Sequence, residues 1–240
     1  MTSNQFFIKN LPDGRNRFSL EGEEHHHLFR VARIRVGDRI WLTDGRSHRL
    51  LAEVEKINED KTWLRPLKTV EESLKTATVL GLGMTKPKTM DFIIQKATEL
   101  GVTEIQPLIT RRSLTITSEK LEAKTERWKK IAREALKQSK GAILPVISQP
   151  LSLKEAILKT RTELKLYLDE HSEVYFRDIL STSRPGSVSL LIGPEGGWTK
   201  EEEEMLQKSE YKGLTLGGRI LRTETAVISA LTLISHFWNW

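Results

Sequence analysis

The sequence predicts an α/β fold, a mostly parallel sheet covered by helices, preceded by a small β-barrel or sandwich. Two observations carry this. After residue 75, apolar runs of strand length alternate with stretches of helical periodicity. Before residue 70, short β-like runs are punctuated by turn residues and broken by a single helical stretch. With 240 residues the chain can bury a core without staples, and it has none to offer, because it contains no cysteine. That excludes a disulfide scaffold, a thiolate zinc site, an iron–sulfur cluster and a cysteine nucleophile.

In the first part the strand-like runs are 5–8, 17–20, 39–43, 49–57 and 62–67. Pro12-Asp13-Gly14, Gly37-Asp38, Asp44-Gly45 and Asn58-Glu59-Asp60 supply the turns. A helix is expected over 23–33, and the polar stretch 68–75 reads as a linker, giving expected domains at 1–70 and 75–240. In the second part, strands are expected at 78–82, 104–109, 163–168, 188–192 and 214–216, and helices at 89–100, 119–140, 153–159, 200–209 and 223–237. Thr199 stands three residues before Glu202, a capping box opening the fourth of these helices. Leu100-Gly101 reads as a helix end with glycine in the left-handed cap.

The net charge of +6 leans towards a polyanionic partner if the charges cluster. The first residues show no basic start followed by an apolar run, and the most apolar stretch, 226–238, is too short and polar to span a bilayer. A cytoplasmic protein is therefore expected. His25-His26-His27 invites a metal reading, but consecutive helical residues point about 100° apart, so three cannot face one ion. No metal is expected.

Two glycine-rich segments carry the functional signal. Leu190-Leu191-Ile192 runs into Gly193-Pro194-Glu195-Gly196-Gly197-Trp198, then into the capped helix. Leu214-Thr215-Leu216 runs into Gly217-Gly218-Arg219-Ile220-Leu221-Arg222, then into a second helix. Ligands of open α/β sheets bind beyond the carboxyl ends of strands, and glycine there leaves bare backbone for them. Neither segment is a phosphate cradle, and Gly81-Leu82-Gly83 lacks the third glycine of a dinucleotide fingerprint. A ligand held mostly by backbone fits better than a nucleotide triphosphate or a dinucleotide.

The pair LIGPEGGWTKEE (191–202) and LGGRILRTETA (216–226) resembles the RsmE family of SPOUT methyltransferases. So do residues 25–45, 91–113 and 127–139, in the expected order. The one visible departure is Lys140-Gly141, where the family usually carries an arginine. The resemblance implies a PUA-like barrel followed by a trefoil-knotted α/β domain and a homodimer. It also implies S-adenosyl-L-methionine as methyl donor and methylation of uridine N3 in 16S ribosomal RNA, in the assembled small subunit. A ribosome-assembly protein without catalysis, or a methyltransferase with another RNA target, is the alternative.

For the donor, the resemblance points to Leu168, Glu170, Ile192, Gly193, Gly196, Gly197, Leu216, Gly217, Ile220 and Leu221. Methyl transfer from a sulfonium is an in-line displacement that needs alignment rather than a metal. Uracil N3 is protonated at neutral pH, so a carboxylate must take the proton or an arginine must stabilise the developing anion. Arg222 and Glu195 are the expected catalytic residues, with Glu170 and Glu224 behind them. Basic residues cluster in the small domain and over 111–140, where ten face four acidic ones. Arg30, Arg33, Arg35, Arg111 and Arg112 are the expected RNA contacts, while most cations after Lys120 fit ordinary surface pairing. The tail Phe237-Trp238-Asn239-Trp240 is expected in a dimer or core contact.

Overall fold

A computed structural model describes residues 4–113, 118–181 and 184–239; Trp240 and the side chains of Glu119 and Lys120 lie outside the described residues. The chain divides into two compact units, Met1–Ser73 with Arg133–Leu144, and Leu74–Ala132 with Pro145–Trp240.

The first unit is a five-stranded sheet. Its elements are β1 (Gln5–Phe7), β2 (Phe18–Glu21), α1 (Gly22–His26) with a π-helical continuation His27–Val31, β3 (Arg39–Thr43), β4 (His48–Ile57) and β5 (Lys61–Glu71). The order is β1-β3-β4-β5-β2, antiparallel except for the β1–β3 pair. Alternation along β4 sends Leu50, Ala52 and Val54 inward, where they meet Phe6, Leu28, Ile40, Leu42 and Leu64. The Asn58 side chain accepts from the amides of Asp60 and Lys61 and closes the hairpin. β5 runs further than the sequence predicts. Lys68, Thr69 and Val70 pair with Leu51, Leu50 and Arg49, so the polar stretch begins as ladder rather than linker.

The three histidines separate as the helical geometry requires. His25 is buried, donates from Nε2 to the Glu59 carbonyl and contacts Thr62 Oγ1 through Nδ1. His26 faces solvent, and His27 packs edge-on against Phe6. Among the described residues no group of acidic, histidine or cysteine side chains is placed to hold a metal ion.

The second unit holds a seven-stranded parallel sheet. Its elements are β6 (Ala77–Gly83), α2 (Pro87–Glu99), β7 (Glu104–Ile109), α3 (Ser118–Ser139), β8 (Val146–Ile147), β9 (Leu151–Ser152) and α4 (Leu153–Lys159). They continue with β10 (Leu164–Leu168), α5 (Phe176–Leu180), β11 (Ser187–Ile192), α6 (Lys200–Lys208), β12 (Lys212–Leu214) and α7 (Thr223–Ile234), which runs on as a π-helical turn Ser235–Asn239. The strand order is β12-β10-β11-β6-β7-β8, with β9 also on β7. β11 lies inside the sheet and is buried from Val188 to Ile192, as an apolar run flanked on both sides must be. The last strand lies at 212–214 rather than 214–216: Lys212, Gly213 and Leu214 pair with Leu166, Tyr167 and Leu168, and Gly213 lies so close to the Tyr167 ring that a Cβ would stand 2.7 Å from Tyr167 Cζ.

The amphipathic helices end as their caps dictate. The Thr199–Glu202 capping box is formed, and Ser152–Glu155 forms another on α4. Gly101 takes φ +78° behind α2. On α3, Arg127 pairs with Asp91, Lys129 with Glu126 and Lys137 with Glu134, so these cations are held on the surface. Phe237 is exposed and Trp238 buried. Among the described residues no helix is long and apolar enough to cross a membrane.

Candidate active site

β12, β10 and β11 are parallel neighbours, so their carboxyl ends open on one edge of the sheet. A cleft of about 820 Å³ lies there. It is lined by the residues that follow β10 (Asp169, Glu170, His171), the turn after β11, the loop after β12, the first turn of α7, and Lys86, Thr89 and Arg112.

Close approach of backbone builds the walls. Gly83 closes β6 directly beneath the turn after β11, and a Cβ there would stand 2.5 Å from both Pro194 N and Cδ. The Gly197 amide donates to the Pro194 carbonyl at 2.9 Å, and Gly197 sits at φ +70°, a conformation that favours glycine. Trp198 is buried, and its indole Nε1 donates to the Leu168 carbonyl, tying the end of β10 to this turn. Arg112 Nη1 donates to the carbonyls of Gly196 and Trp198. The buried carboxylate of Glu202 accepts from the amides of Thr199 and Arg111, joining the start of α6 to the loop after β7.

Arg222 and Glu195 both line the cleft and both are exposed. Arg222 is the N-cap residue of α7 and offers no side-chain cap; its carbonyl accepts from Ala226, and no ion pair joins it to Glu224 among the described residues. Leu168, Glu170, Ile192, Gly193, Gly196, Gly197, Leu216, Ile220 and Leu221 border the same cleft, and Gly217 does not. Ile220 stands at the rim, 80% exposed. Apolar depth comes instead from Ile192, Leu214 and Trp198. Arg112 is a strut of the cleft wall, whereas the Arg111 side chain is exposed. Arg30, Arg33 and Arg35 lie in the first unit, exposed and without carboxylate partners among the described residues. Arg39 pairs there with Glu53, and Arg49 donates to the Lys140 carbonyl.

Sequence reasoning missed Glu203 and Lys86, and gave Asp169, at the strand end beside Leu168, no role of its own. Burial, and then the nearby Asp169 charge, push the Glu203 carboxyl above the ordinary carboxylate range. No spacing rule signals this pair, since Asp169 follows β10 and Glu203 sits one turn into α6.

These walls suit a sulfonium donor. A Cβ on Gly197 would meet no atom within 4 Å, so this cleft residue borders open space and leaves backbone bare. Buried apolar side chains can hold an adenine ring, and Asp169 with Glu203 offers negative charge to a cationic ligand.

The fold and cleft place the chain among the RNA methyltransferases. The RNA methyltransferase domain matches residues 72–235, and the RNA methyltransferase PUA domain matches residues 20–67. The ribosomal RNA small subunit methyltransferase E of Bacillus subtilis is 33% identical over 91% of this chain and 90% of that protein. Its counterpart from Rickettsia conorii is 30% identical over 98% and 96%. The crystal structure of a ribosomal RNA small subunit methyltransferase E from Neisseria gonorrhoeae, bound to S-adenosyl methionine, superposes with a TM-score of 0.88 at 27% identity, covering 98% of each chain. The chain belongs to the ribosomal RNA small subunit methyltransferase E family.

Proposed function

We propose that this protein transfers a methyl group from S-adenosyl-L-methionine to N3 of a uridine in 16S ribosomal RNA. In this reading it works in the cytoplasm, as a homodimer, on the assembled small subunit. The observation that carries the reading is the cleft itself, walled by two glycine-rich strand ends and holding Arg222, which has no ion pair among the described residues, beside carboxylates. When bound, the donor supplies an activated methyl on a positively charged sulfur. The chain's own task is then alignment and charge. Gly193, Gly196 and Gly197 offer backbone to the donor, Ile192 and Leu214 give it an apolar floor, and Asp169 with Glu203 faces its positive groups. Arg222 stabilises the negative charge that develops on the uracil oxygens as N3 loses its proton. Glu195 stands on the opposite glycine wall and accepts that proton.

Titration calorimetry with S-adenosyl-L-methionine, followed by mass mapping of modified uridines in ribosomal RNA from a deletion strain, tests the reading. Donor binding and loss of one N3-methyluridine are expected. A chain that binds RNA but no donor would be an assembly protein instead.

A further inference from the structure

We propose that Lys86 positions the RNA acceptor by gripping a backbone phosphate at the mouth of the cleft. The proposal rests on the reading of the cleft as a methyl-transfer site. Lys86 is exposed, lines the same cleft as Arg219 and Arg222, and none of the three has a carboxylate partner among the described residues. Lys86 precedes Pro87 as the N-cap residue of α2, and Arg222 is the N-cap residue of α7. The two helices pack together and run in the same direction. Their first residues reach the cleft, and the Ser235 hydroxyl after α7 donates to the Leu100 carbonyl behind α2 at 2.7 Å.

Three cations without carboxylate partners among the described residues open on one volume and favour an anion there. The cleft's carboxylates lie after β10 (Asp169, Glu170), in the turn after β11 (Glu195), on α6 (Glu203) and in the first turn of α7 (Glu224). At the start of α2 there is no acidic residue in the first turn, so Lys86 meets no carboxylate from the opening of its own helix. The cleft thus carries both signs of charge, with Lys86, Arg219 and Arg222 there to meet an anionic reactant. A lysine ammonium is a compact point charge that tracks a phosphate without demanding planar geometry, so it holds the RNA in the cleft mouth through affinity.

Lys86→Met and Lys86→Arg test this, with the wild type run beside them on small subunits. In Lys86→Met the KM for RNA should rise about tenfold, and the slope of log affinity against log salt should drop by about one. Its kcat at saturating RNA and its donor dissociation constant should stay within about twofold of wild type, since neither reports phosphate binding. Lys86→Arg should restore most of the RNA affinity. Unchanged KM and salt slope would overturn the proposal. So would a donor dissociation constant that rises as much as the KM, which would assign Lys86 to the donor's carboxylate. Failure of the wild type to methylate would instead strike the underlying reading of the cleft.

Discussion

Arg222 enters α7 with its carbonyl engaged by Ala226 and its guanidinium unpaired, so alanine there removes charge without breaking a packed contact. Arg222→Ala should keep its donor affinity and lose methylation by about tenfold or more in a single-turnover assay. Gly197 argues differently. No protein atom stands within 4 Å of its missing Cβ, so Gly197→Val suffers strain at φ +70° and fills cleft space, rather than colliding with the opposite wall. It should cost about 1–2 kcal/mol of stability and weaken donor binding; unaltered donor affinity would place the donor elsewhere. Glu203 makes a prediction with a defined sign. Its carboxyl lies higher in the folded chain than the ordinary 4.5, so the folded state holds more proton than the unfolded one just above that value, and stability falls as pH rises through the window. Glu203→Gln should therefore melt higher than wild type at neutral pH, and the gap should close below pH 4.5, as calorimetry of the donor-free protein can show.

At the scale of elements, the cleft depends on how its strands and helices are stitched. Glu202 satisfies one amide at the start of α6 and another in the loop after β7. Glu202→Ala should cost about 2 kcal/mol in a denaturant melt, because two backbone donors lose a charged acceptor together. Much of this layer was legible beforehand. β3 and β7 lie where alternation and apolar run length put them, and both glycine segments line the cleft, because strand-to-glycine-to-helix is a local pattern. What escaped is what only register decides. α5 spans five residues, too few for a period to show, and β8 and β9 have two each. Gly83 reads as a failed nucleotide fingerprint until the neighbouring strand brings Pro194 against it. Arg112 reads as an RNA contact, and only the fold shows that two carbonyls meet its guanidinium.

For the molecule as a whole, charge distribution matters more than the total of +6. On α3, Arg127, Lys129 and Lys137 are committed to carboxylates, while Arg30 and Arg33 in the first unit are not. The double variant Arg30→Ala with Arg33→Ala should weaken RNA binding and flatten its dependence on salt, read by filter binding across a salt series. An unaltered slope would make these arginines bystanders. The far end of the chain has its own consequence. The Asn239 side-chain amide accepts from the Thr76 amide at 2.8 Å and donates to the Thr76 carbonyl at 3.1 Å, clasping the backbone just ahead of β6. The entrance to the parallel sheet is thus fastened by a residue 163 positions further along the chain, so that edge of the sheet closes only once α7 and its π-helical turn have docked.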